Sequence, residues 1–133
     1  VTLLLDASVL LAAFDPDDAN HAPARALLED AEVTIATLDL ARYEVANVAV
    51  RARRAPGSVA PLLSAIDRVG EDGGIVTSDG ALMARAVELA ELHSLSVYDA
   101  AYAAAAIDSG RDLVSCDERD LVSRGLATLP GAH

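Results

Sequence analysis

The chain has no lysine and no tryptophan, and only one cysteine and one phenylalanine among 133 residues. Each shortage closes off a reading. A P-loop needs a lysine on its phosphates, and receiver-type phospho-acceptor domains, which also gather acids at strand ends, rely on one too. A single cysteine, Cys116, leaves no partner for an intramolecular disulfide and fits a reducing, cytoplasmic setting. No run of about 18 apolar residues occurs, so no membrane span is expected. The stretch "VTLLLDASVLLAAF" is broken by Asp6 and lacks a basic flank, so it does not read as a signal peptide. Positive charge is also scarce. Acids number 21 against 10 bases, all arginine, for a net charge of −11. Such a chain repels nucleic acid in general, so any activity on it must work through local features.

What is present is an apolar fraction of 53% in a chain of ordinary domain size, and residues 1–133 read as one domain with one core. "TLLLD", "EVTIAT", "GIVTS" and "DLVS" read as short strands, and "LATLP" as a closing edge strand. Between them lie helical patterns: "ASVLLAAF", "HAPARALLEDA", a long "LDLARYEVANVAVRARR" stopped by Pro56-Gly57, "SVAPLLSAIDRV" with Ser58 as its cap, "DGALMARAVELAELH", "SVYDAAYAAAAID" and a brief "CDERDLVSRG". Strands alternating with helices predict an α/β domain with a mainly parallel sheet. Active sites of such sheets gather outside the carboxyl ends of the strands.

Two acids fall at such ends, Asp6 and Asp117. Two more lie on helices beside apolar faces. Glu44 flanks the stripe Ala41, Val45, Val48 and Ala52, and Asp99 shares a helix face with Tyr102, Ala103 and Ala106. Ordinary explanations exist for each: Asp6 and Asp117 as helix caps, Glu44 partnered by Asn47 or Arg51, and Asp99 in a capping box with Ser96. Capping does not exclude metal binding, because a carboxylate has two oxygens. Brought together, these groups could not all ionise without cations, and an all-oxygen set suits Mg²⁺ or Mn²⁺ rather than zinc.

The segments "LLLDAS", "ARYEVANV", "LSVYDAAYAAAA" and "LVSCDERDL", in this order, resemble the PIN-domain ribonucleases, most closely the VapC toxins of bacterial VapBC toxin–antitoxin pairs. The resemblance spans essentially the whole chain. It implies a three-layer α/β/α sandwich around a mainly parallel sheet, and makes Asp6, Glu44, Asp99 and Asp117 the catalytic and metal-holding acids, with Asp6 and Asp99 the firmest ligands. Ser8 and Ser115 would support them from behind. Asp120 departs from the family pattern as an extra acid.

The implied activity is Mg²⁺- or Mn²⁺-dependent endoribonucleolytic hydrolysis by water. The implied partners are a cognate VapB-type antitoxin, an RNA substrate and a second copy of the chain. A non-toxin RNA-processing PIN nuclease and a catalytically silent PIN-like binding module are the competing readings. Arg51, Arg53 and Arg54 form the one basic cluster; they are candidates for gripping RNA phosphates, or simply cations favoured by a helix carboxyl end.

Overall fold

The computed structural model describes residues 2–133. Strand β1 (Thr2–Leu5) is its axis. Leu3 and Leu5 enter one core and Leu4 another, as the two-residue period of a strand covered on both faces requires. β2 (Thr34–Leu38) and β4 (Asp112–Val114) flank β1, and β3 (Ile75–Val76) lies beyond β2. All pairings are parallel, in the order β3-β2-β1-β4. The buried Thr37 hydroxyl donates to the Leu5 carbonyl at 2.7 Å, so the polar side chain in the sheet interior is satisfied.

The chain first winds from β1 outward to β3, then returns across the sheet to β4. Right-handed crossovers put helices on opposite faces when the direction of winding reverses. Accordingly α1 (Ala7–Ala13), α2 (His21–Glu29), α3 (Leu40–Asn47) and α4 (Val59–Asp72) cover the Leu3/Leu5 face. α5 (Gly80–His93) and α6 (Val97–Ser109) cover the Leu4 face. The result is the three-layer α/β/α sandwich that the resemblance implies, around the parallel sheet that the alternating strands and helices predict. Every residue of α6 from Ala100 to Ala106 is buried, so this helix is walled in on all sides, with alanine permitting close approach.

Gly73 marks one tight spot before β3: a Cβ there would stand 2.3 Å from the Ile35 carbonyl oxygen. The reversal of winding between β1 and β4 creates a switch point, where the strand ends part and leave a crevice. That crevice is where Asp6 and Asp117 emerge.

Three local expectations are corrected. The long helix expected from Leu38 to Arg54 keeps α geometry only to Asn47, then widens into a π-turn over Val48–Ala52, closed by the Arg53 amide on the Val48 carbonyl at 3.0 Å. The wider turn shifts the apolar stripe, so Ala49 is buried and Ala52 is exposed. Ser58 does not cap α4; its hydroxyl donates to the Ala55 carbonyl instead. "LATLP" forms no strand, only an isolated bridge between Thr128 and Val114 before a short 3₁₀ turn over Pro130–Ala132. Among the described residues no helix is long and apolar enough to cross a membrane.

Candidate active site

Asp6 leaves β1 in extended conformation and caps α1. Its Oδ1 accepts the Ser8 and Val9 amides, at 3.0 and 3.3 Å, and the Ser8 hydroxyl. Oδ2 takes part in none of these bonds. The side chain is 5% exposed. Burial pushes its carboxyl up to about 6, against the pull of the Ser115 and Ser8 hydroxyls and the Val9 amide, while the Glu44 charge adds to the rise.

Ser8 and Ser115 tie the two strand ends together. The Ser8 hydroxyl accepts the Cys116 amide at 2.9 Å and lies 3.5 Å from the Ser115 hydroxyl. Ser115 is fully buried and accepts the Asp117 amide at 3.0 Å. Asp117 in turn caps the π-turn Glu118–Val122 through the Asp120 amide, at 2.9 Å.

Helix α6 supplies Asp99. Ser96 caps this helix by accepting the Asp99 amide at 3.1 Å, leaving the Asp99 carboxylate facing the crevice. Burial raises its carboxyl first, followed by the charge of Asp117 and, after the opposing pull of Ser96, that of Asp120. One oxygen each from Asp99, Asp117 and Asp120 fall within 4.8 Å of one another.

Glu44 comes from α3, half-buried, and its carboxyl is raised by burial and by the charge of Asp99, against the pull of the Tyr102 hydroxyl. Each acid thus feels the next, from Asp6 through Glu44 and Asp99 to Asp117 and Asp120. Asp6 and Glu44 lie outside the close triad but share its crevice. Neither Asn47 nor Arg51 forms an ion pair or hydrogen bond with Glu44 among the described residues; its Oε1 is buried without a partner.

That orphaned oxygen, together with an array of carboxylates free of thiolate and imidazole, fits a hard divalent cation. Burial pushes the Cys116 thiol up to about 11, so it stays protonated and makes a poor ligand and a poor nucleophile.

The sequence matches the PIN domain family over residues 3–124. The chain is a PIN domain. Among solved structures, a toxin–antitoxin complex from Klebsiella pneumoniae aligns over 96% of this chain and 97% of its own, with TM-score 0.70 and 20% identity. A sarcin–ricin loop cleaving toxin of Mycobacterium tuberculosis, VapC20, aligns over 92% and 95%, with TM-score 0.71 and 18% identity. A protein from Pyrobaculum aerophilum aligns over 99% and 85%, with TM-score 0.70 and 26% identity. No curated protein matches the sequence significantly.

Two members of this PIN-domain crevice escaped the sequence reading. Asp120 stands only as an extra acid there; its place in the triad follows from the turn that Asp117 caps. Tyr102 counts as nearly apolar on the helix face of Asp99, yet it brings a hydroxyl to Glu44. The basic cluster is split by the π-turn. Arg51 borders the same groove as Glu44, whereas Arg53 turns to Asp15 at 3.5 Å. Arg54 is exposed, with φ at +50°.

Proposed function

We propose that this PIN domain is a Mg²⁺- or Mn²⁺-dependent endoribonuclease, acting in the cytoplasm as the toxin of a type II toxin–antitoxin pair. The observation that supports the reading is the cluster of Asp99, Asp117 and Asp120 carboxylates within 4.8 Å of one another at the switch point of the sheet, with Asp6 and Glu44 near enough to feel neighbouring acids and a buried Glu44 oxygen left without a partner. Fold likeness to a toxin described as cleaving the sarcin–ricin loop supports RNA as substrate. Fold likeness to toxin–antitoxin complexes supports the toxin role.

In this reading Asp6, Glu44, Asp99 and Asp117 hold the cation. When bound, it neutralises the scissile phosphate and lowers the pKa of the attacking water. The chain's own groups do the rest. Ser8 and the first amides of α1 fix Asp6 Oδ1, leaving Oδ2 for the cation. Ser115 sets the backbone that presents Asp117. Arg51, at the rim of the groove, would take a flanking phosphate. The Ser8 hydroxyl is engaged both as donor and as acceptor, and Cys116 is protonated, so neither is available as a nucleophile. Direct attack by water follows, leaving 5′-phosphate and 3′-hydroxyl ends.

Beside Glu44 runs a groove of about 690 Å³ bordered by Leu40, Tyr43, Val50, Arg51 and Tyr98. Tyr43 and Tyr98 are 76% and 62% exposed beside Val50 at 55%, and exposed apolar side chains gathered in one place suit an interaction surface. We assign this surface to the cognate VapB-type antitoxin, which would there compete with RNA for Arg51; a second copy of the chain is the other partner that the family resemblance implies. A basic antitoxin side chain reaching the carboxylates would satisfy them as a cation does. Mapping 5′-phosphate RNA ends after induction, wild type against Asp6→Asn, tests the enzyme. Discrete cuts should appear only in wild type and disappear when the neighbouring gene is co-expressed. Equal cutting by both proteins removes Asp6 from the mechanism.

A further inference from the structure

Two buried polar atoms in this region lack a hydrogen-bond partner among the described residues, the Tyr102 hydroxyl and Glu44 Oε1. Tyr102 is 2% exposed. It stands on α6 one turn after Asp99, so the two side chains leave the same face of the helix. Its hydroxyl lies among the Ala7 amide at the start of α1, the Glu44 carboxylate and the nearby Asp6 charge. Apart from these groups the helix around it is alanine. Phenylalanine would serve packing as well without burying a hydroxyl, and a buried hydroxyl that serves nothing is a cost.

We infer that Tyr102 is a positioning residue. Its O–H donates to the Glu44 carboxylate when the crevice is loaded, and so orients Oε1, the oxygen without a partner, for the cation that Asp6 and Asp99 would also hold. The donor direction follows from the chemistry: an ionised carboxylate only accepts, and a phenol among acids keeps its proton. Tyr102 would thus join α6, the helix of Asp99, to the α3 acid, as Ser8 and Ser115 join the strand ends of Asp6 and Asp117.

The inference rests on the proposed cation site, and its test separates the two. Mn²⁺ binding to the purified full chain is measured by calorimetry for wild type, Asp6→Asn, Tyr102→Phe, Glu44→Gln and the Tyr102→Phe/Glu44→Gln double variant, with thermal unfolding in metal-free buffer alongside. Loss of an outer hydrogen bond to a metal ligand typically weakens affinity about 10- to 100-fold. We expect Tyr102→Phe to weaken Mn²⁺ binding within that range while melting no lower than wild type. In the Glu44→Gln background the same change should add little, because the carboxylate it acts on is gone.

Wild-type Mn²⁺ affinity in Tyr102→Phe, with binding lost in Asp6→Asn, would overturn the role of Tyr102 and leave the site intact. Equal effects of Tyr102→Phe in both backgrounds would overturn it too. No Mn²⁺ uptake by wild type would remove the site and the inference with it.

Discussion

Asp6 and the Asp99–Asp117–Asp120 triad share one crevice, yet the fold treats them differently. Asp6 is almost fully buried, and three donors converge on one of its oxygens. The triad acids are half-buried, come from α6 and from the turn after β4, and stand within 4.8 Å of one another. One end of the crevice is fixed by a helix cap that forms whenever α1 forms. The other is a set of like charges that repel until something positive arrives. On the proposed reading, the fold would supply one rigid ligand in advance and leave the remainder to be drawn in by the ion.

The largest expected effect breaks the comparison at its rigid end. A buried carboxyl raised from 3.8 to about 6 binds more protons in the folded chain than in the unfolded one. Folding stability therefore falls as pH rises from about 4 to about 6, by on the order of 3 kcal/mol for a shift of this size, and stays low above that range. Asn is as good a cap as Asp, so Asp6→Asn should remove the largest part of that decline, leaving the smaller share from the raised Glu44 and Asp99 carboxyls, and melt higher than wild type at neutral pH without metal. Mn²⁺ should raise the melting temperature of wild type at pH 7.5, do little at pH 4.5 where the proton competes, and do nothing for the variant. Calorimetric melts across pH and Mn²⁺ decide this. A wild type whose metal-free stability is flat between pH 4 and 6 would mean that Asp6 is not held in a desolvated site.

Next comes the tie between the two ends. Ser8→Ala removes a donor from Asp6 and leaves the Cys116 amide without its acceptor. An orphaned amide of this kind costs about 1–3 kcal/mol, visible as a lower denaturant midpoint. Mn²⁺ affinity and RNA cleavage should fall about tenfold or more, as for other groups that support metal ligands. Unchanged cleavage with the same loss of stability would confine Ser8 to holding the fold.

The sheet, its direction and its helices were legible because strand and helix periods differ and the cores are apolar. So was the location of Asp6 and Asp117, since acids at the ends of apolar strands follow from topology alone. Residues that depend on non-standard backbone were not legible. The π-turn after Asn47 has no composition signal in "VAVRA", and it moved Ala49 inward and pulled Arg53 away from Arg51 toward Asp15. Ser58 has the right chemistry for a cap, but the 3₁₀ turn at Pro56 turned its hydroxyl back to Ala55. Tyr102 looked like filling for an apolar face because helical position reveals direction, not what a hydroxyl meets across the core.

Asp120 gives the smallest effect and the sharpest measure of the open end. Its Oδ1 lies 3.3 Å from the Arg124 guanidinium and 4.0 Å from that of Arg119, so part of its charge is already answered from outside the crevice. Exposed ion pairs of this kind are weak, so on the proposed reading the carboxylate could be drawn from arginine to the cation. Asp99 has no such alternative: it forms no ion pair among the described residues, and its carboxyl is raised by burial and by its acidic neighbours. Asp120→Asn should therefore weaken Mn²⁺ binding by less than about tenfold, whereas Asp99→Asn should exceed the 10- to 100-fold typical of mere supporting groups. In both cases one like charge leaves the triad, so relief of repulsion is shared and only the value of each acid as a ligand differs. Equal losses would place Asp120 alongside Asp99 as a full ligand and extend the cation site to all three acids of the turn and α6.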